Sequence, residues 1–171
     1  SFTAISDYAS RPLRLVLKAI KYEYVISATQ GLLTLLDSAL NRRARTHARP
    51  LWNSHTRIIP VPLHSQRMRW RGFNQSEIIA RHLADHYLIP LDTSTLVRSR
   101  SHQPQAEITD PQERKENVAH CFSVSSPHEI IGKDILLVDD VCTTGATLNA
   151  CAHALKKAGA TSVSTLVIAR G

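Results

Sequence analysis

ILLVDDVCTTGAT, residues 135–147, decides the fold. Four apolar residues run without a polar break from Ile135 to Val138. Such a run fits a strand buried on both faces, the habit of parallel sheets. Leu148, Cys151, Ala152 and Leu155 then follow helical spacing, Lys156 and Lys157 suit the negative end of that helix, and Gly159 suits its cap. A second apolar strand, 162–169, comes directly after. Strand, helix, strand in this order predicts a right-handed parallel unit, hence an α/β fold with a central parallel sheet flanked by helices.

Upstream, Ile58, Ile59 and Val61 read as a short buried strand, weakened by the missing donor of Pro60. Ile79, Ala80, Leu83 and Tyr87 make an amphipathic stripe over 74–87. The first forty residues read as helical, from Leu13, Val16, Leu17 and Ile20 and then Leu32, Leu33, Leu35, Leu36 and Leu40. NRRARTHARP, 41–50, reads as a basic connector. Residues 98–117, polar with two prolines, read as a long mobile loop. The 171 residues are expected to form one domain, with N-terminal helices over 1–45 and core sheet and helices over 57–171.

The remaining composition narrows the class. Three cysteines, Cys121, Cys142 and Cys151, form no CxxC pair, which argues against a disulfide scaffold and for a reducing, cytoplasmic setting. No apolar run approaches the ~20 residues of a membrane helix, so no membrane insertion is expected. The net charge of +7 favours polyanionic partners without choosing among them.

Within that frame the two acids need a ligand. In an open α/β sheet, ligands sit beyond the carboxyl ends of the strands, where Asp139 and Asp140 stand. The following helix offers unpaired amides for a phosphate, Thr143, Thr144 and Thr147 add hydroxyls, and Gly145 allows close approach. Two carboxylates repel phosphate, so they must hold neutral hydroxyls or a metal ion. A ribose 5-phosphate meets both demands. The bland alternative is a pair of solvated turn aspartates and a threonine-capped helix. Neither GxxxxGK[ST] nor a GxGxxG after a strand is present.

The string resembles the phosphoribosyl pyrophosphate (PRPP) motif of type I phosphoribosyltransferases. IIPVPLHSQRMRWRGFNQSEIIARHLA, 58–84, and LVRSRSHQPQAEITDPQERKENVAHCF, 96–122, together with Lys21-Tyr22, resemble segments of the ComF family of competence-associated proteins. By that resemblance Asp139 and Asp140 contact the ribose hydroxyls, and Cys142, Thr143, Thr144, Gly145, Ala146 and Thr147 cradle the 5-phosphate. Leu63, His64, Arg67, Arg71 and Gly72 correspond to the pyrophosphate side. Arg98, Arg100, Gln105 and Arg114 belong to a flap over the site. Mg²⁺ is the implied cofactor, bound mainly through the ligand and through Asp139 or Asp140. The sequence departs from the family in showing no upstream cysteine-rich zinc module, either lost or cut from a longer chain, and the resemblance implies transfer of phosphoribose to an unidentified acceptor. The alternative is a non-catalytic PRPP or nucleotide module acting in DNA uptake, with single-stranded DNA and competence proteins as partners.

Other features carry weaker readings. Arg42, Arg43, Arg45 and Arg49 fit nucleic acid phosphates or, more simply, a solvated helix end. RMRWRGF, 67–73, interleaves arginine with aromatics as single-strand binders do. His82 and His86 have a zinc spacing but no third ligand. Cys142 reads as a small buried spacer, and Cys121 and Cys151 as core thiols.

Overall fold

The computed structural model describes residues 2–7, 15–17, 26–46, 50–98 and 121–171. Its elements are β1 (Phe2–Asp7), α1 (Ile26–Arg45), β2 (Thr56–Pro60), α2 (Ser65–Arg71), α3 (Gln75–Tyr87), β3 (Leu96–Arg98), β4 (Phe122–Val124), β5 (Asp134–Cys142), α4 (Ala146–Lys157) and β6 (Ser162–Arg170).

The apolar run behaves as its composition demands. β5 is flanked by parallel strands on both sides, in the order β1-β6-β5-β2. Adjacent side chains on a strand face opposite ways. Leu136 and Val138 therefore join a core with Leu32, Leu36 and Leu40 of α1 and Ile79 and Leu83 of α3. Ile135 and Leu137 join the opposite core, with Leu148, Cys151 and Leu155 of α4. The sheet is thus the middle layer between helices.

Pro60 is accommodated by an open edge. Ile58 turns both its N–H and its C=O away from β5, toward Pro90 and Asp92. Pro60, two residues on, faces the same way, so its missing donor costs no bond of the ladder to β5.

Two expectations need correction. Phe2–Asp7 is a strand, paired in parallel with β6 from Phe2↔Thr165 to Asp7↔Arg170. Its own alternation is visible in the packing, since Ala4 meets one core and Ile5 the other. A strand that short, paired only to residues some 160 positions away, leaves little local signal. The expected connector at 41–50 also starts later. Arg42, Arg43 and Arg45 belong to the last turn of α1, where cations complement the helix dipole. Arg49, Leu13, Ile20 and Lys21-Tyr22 lie outside the described residues.

A buried carboxylate fixes the turn before β3. Asp92 Oδ1 accepts from Ser94 N at 3.0 Å and Thr95 N at 2.9 Å, and Oδ2 lies 3.6 Å from Arg57 Nη1. Burial pushes its pKa up, but the hydrogen bonds from Thr95 and Ser94 outweigh this and hold it below the usual value. A lowered folded pKa contributes stability above the unfolded pKa, lost as pH falls through the lowered one. Asp92→Asn is therefore expected to cost about 1–2 kcal/mol at neutral pH. Urea unfolding at pH 7 and pH 3 checks this, with the gap to the wild type narrowing in acid.

Candidate functional site

The crevice arises from unequal strand ends. On one side of β5, pairing to β2 stops at Val138, whose carbonyl accepts from Val61 N at 2.9 Å. On the other side it continues along β6 to Cys142↔Arg170. Asp139 and Asp140 are thus held in a strand by β6 while the β2 side stands open, and β5 runs four residues past the Val138 end expected from hydrophobicity. The open side is closed by the start of α3. Asn74 caps that helix, accepting from Ser76 N at 3.1 Å, and its Nδ2 donates to Val61 O at 3.0 Å.

Ser76 then meets the first acid. Its hydroxyl donates to Asp139 Oδ1 at 2.7 Å, and Asp140 N donates to the same oxygen at 2.9 Å. These bonds fix the direction of that carboxylate. Asp140 is buried and Asp139 half-buried.

Both acids line a cavity of about 520 Å³ with Thr143, Thr147, Leu63, Arg67, Arg71 and Arg98. A volume of that size accommodates a small ligand. Its acids come from β5 and its arginines from α2 and β3. Gln75 and Trp70 also line it.

Not every expected residue reaches the cavity. Thr144 is exposed and its Oγ1 accepts from Ala146 N at 3.4 Å. Gly145 caps α4 with φ 78°, a left-handed backbone that glycine adopts without strain. α4 starts without a side-chain cap, so its first-turn amides depend on other acceptors. Cys142 is buried beneath this turn, its sulfur 3.9 Å from where a Gly145 side chain would begin. Neither Cys142, Thr144, Gly145 nor Ala146 lines the cavity. His64 and Gly72 do not line it either. They are the two caps of α2, His64 accepting from Gln66 N at 3.2 Å through Nδ1 and Gly72 closing the helix at φ 77°. Arg100, Gln105 and Arg114 lie outside the described residues.

Other singled-out groups find structural partners. His82 Nε2 lies 2.8 Å from Asp37 Oδ1 and ties α3 to α1, while its ring stacks on His86 at 5.9 Å. Cys151 is fully buried, and burial, reinforced by Asp139, pushes its thiol far up.

Asn74, Gln75 and Ser76 were missing from the sequence reading of the site. A helix-capping Asn before an amphipathic stripe is legible, but its neighbours' approach to Asp139 is not. Gln75 is only 5% exposed, and its Oε1 accepts from Arg71 Nη1 at 3.0 Å. Arginine can only donate, so the amide oxygen must face it and Nε2 turns elsewhere. That buried Nε2 has no partner among the described residues, a penalty of about 1–3 kcal/mol.

Residues 71–171 match the phosphoribosyl transferase domain family. Competence protein F of Haemophilus influenzae is 31% identical over 160 residues, covering 93% of this chain and 68% of that protein. The DNA utilization protein YhgH of Salmonella typhi is 32% identical over 167 residues, covering 98% and 70%. The chain belongs to the ComF family, with a phosphoribosyl transferase domain. Among solved structures it is similar to the glutamine PRPP amidotransferase of B. subtilis, with TM-score 0.47 and 22% identity over 66% of this chain and 22% of that one. The matched region of this ComF-family chain begins at Arg71 and takes in both acids and the threonine turn. Among its described residues no helix is long and apolar enough to cross a membrane.

Proposed function

We propose that the chain binds PRPP with Mg²⁺ and transfers phosphoribose to an acceptor, the ribose diol resting on Asp139 and Asp140 and the 5-phosphate at Thr143, Thr147 and the start of α4. One observation carries the reading: paired acids, two threonines and three arginines line a single cavity at the carboxyl end of β5. In the transfer, the bond from ribose C1 to a pyrophosphate oxygen breaks, and its electron pair leaves with the diphosphate. The acceptor's lone pair makes the new bond to C1, and the acceptor's proton passes to solvent. Positive charge on the ring is favoured by the acids, and the departing anion by Arg67, Arg71 and Arg98. Ser76 keeps the Asp139 carboxylate oriented throughout.

The donor set around the acids is all oxygen, as Mg²⁺ requires, and no group of three His, Cys, Asp or Glu suited to a metal occurs among the described residues. Such an ion would rest on Asp139 or Asp140 and on the ligand's own oxygens. When bound it neutralises charge on the diphosphate.

A second reading has its own observation. Arg67, Met68, Arg69 and Trp70 are all exposed on α2, and the relatives are named for competence and DNA utilization. In that reading the domain binds a ribose phosphate without turnover and contacts single-stranded DNA in DNA uptake. Titration calorimetry with PRPP and Mg²⁺, followed by pyrophosphate release with added nucleobases or amines, tests both. Acceptor-dependent release is expected. Binding without release, joined to salt-sensitive affinity for single-stranded DNA, favours the second reading. Absence of PRPP binding refutes both.

A further inference from the structure

Resting on the ribose-phosphate reading above, we infer that Asn74 is a positioning residue for the two acids: together with Asp139 it holds one bond of the β2–β5 ladder open, and so sets where the carboxylates stand. The bond can be named. In a parallel ladder, a residue whose N–H donates to one carbonyl accepts from the amide two residues further along. Val61 N donates to Val138 O at 2.9 Å, so a continued ladder would have Asp140 N donate to Val61 O. Each half of that bond finds a side chain instead. Asp140 N donates to Asp139 Oδ1 at 2.9 Å, and Val61 O accepts from Asn74 Nδ2 at 3.0 Å. Two more bonds link the substitutes. Asn74 Oδ1 accepts from Ser76 N at 3.1 Å, and Ser76 Oγ donates to Asp139 Oδ1 at 2.7 Å. The circuit leaves β5 at Val138 and returns to it at Asp139, the next residue.

A helix cap alone does not call for asparagine. Serine, threonine or aspartate supplies the capping oxygen as well, but of these residues only asparagine also carries an amide donor for Val61 O. Asn74 and Val61 are both buried, so water is a poor replacement for that donor. Without it, the amide that the ladder would bring to Val61 O is that of Asp140. Closing that bond draws Asp140 N away from Asp139 Oδ1 and β5 toward β2. Asn74, Ser76 and both acids line the cavity that this closure would narrow. The role of Asn74 runs through Val61 and Ser76 rather than through the ligand.

Asn74→Ser keeps a capping oxygen and removes the donor, and Asn74→Thr, which also caps, is the second variant. In a nitrogen–proton correlation spectrum of the labelled full chain without ligand, the Asp140 amide is expected to move in both, while circular dichroism stays that of the wild type. Calorimetry is expected to show ribose 5-phosphate bound about tenfold more weakly, the size of one hydrogen bond to a charged group, with inorganic phosphate unchanged. Ser76→Ala is expected to give a similar loss. Combined with Asn74→Ser it should cost little more than the larger single loss, because both act through the Asp139 carboxylate. An unmoved Asp140 amide, or wild-type affinity for ribose 5-phosphate in Asn74→Ser, overturns the inference and leaves Asn74 a helix cap. Equal weakening of inorganic phosphate overturns it as well, and so do additive losses in the double variant. If the wild type itself does not bind ribose 5-phosphate, the ribose-phosphate reading falls, while the Asp140 amide still decides whether Asn74 holds the ladder open.

Discussion

The double substitution Asp139→Asn with Asp140→Asn is expected to weaken ribose 5-phosphate binding by about a hundredfold or more while leaving inorganic phosphate binding intact. Hydrogen bonds to a charged partner contribute about 1.5–3 kcal/mol each, so losing the charge on two acceptors reaches that size. An opposing effect exists, because removing two negative charges eases the approach of a phosphate. Across several ångströms of a water-open cavity that gain is about 1 kcal/mol or less, so the lost hydroxyl contacts win for the sugar. Inorganic phosphate, which has no diol, feels only the gain and is expected to bind as well or slightly better. Asparagine suits the test because it keeps an oxygen for Ser76 Oγ and Asp140 N at position 139. Calorimetry with the two ligands reads the contrast. Parallel loss of both would mean that the acids shape the turn rather than grip a sugar, and unchanged binding of both would remove them from the site.

Why that pair was legible in the sequence, and its surroundings less so, follows from the range of each interaction. Ile135 to Val138 announced a doubly covered strand because burial on both faces acts on every side chain in the run. The α4 stripe and its lysine-rich end are likewise local signals. The length of β5 was not legible, since Asp139 and Asp140 stay in the strand only through pairing with Val167 and its neighbours on β6. β1 was missed for the same reason. Ser76 stands 63 residues from Asp139, and nothing in FNQSE marks one hydroxyl as that carboxylate's partner. Family resemblance supplied the Pro62 to Gly72 region, but it could not separate Arg67 and Arg71, which line the cavity, from His64 and Gly72, which cap the helix between them.

Leu36→Ala is expected to destabilise the whole domain by about 2–5 kcal/mol, in a single unfolding transition. Leu36 is 0% exposed and belongs to the core shared with Ile79 and Leu83 of α3 and Leu136 of β5. Removing three carbons there leaves a cavity walled by a helix and a sheet strand, which collapse poorly. Against a typical stability of about 5–15 kcal/mol, the loss is large. Leu35, on the same helix but 38% exposed, is the control, and Leu35→Ala is expected to cost about 1 kcal/mol or less. The comparison decides whether α1 is part of the cooperative unit or a helix resting on it. The Asp37–His82 bond and the Leu32, Leu36 and Leu40 face argue for the former. Urea unfolding followed by far-ultraviolet circular dichroism reports the helices, α1 the longest of those described, and fluorescence in a Trp70→Phe background reports Trp52, which packs on Tyr87 of α3 at 4.7 Å. Coincident midpoints, shifted together by Leu36→Ala, are the expected result. A helical signal lost first in the variant, with the fluorescence midpoint unmoved, would separate α1 from the unit that carries the cavity.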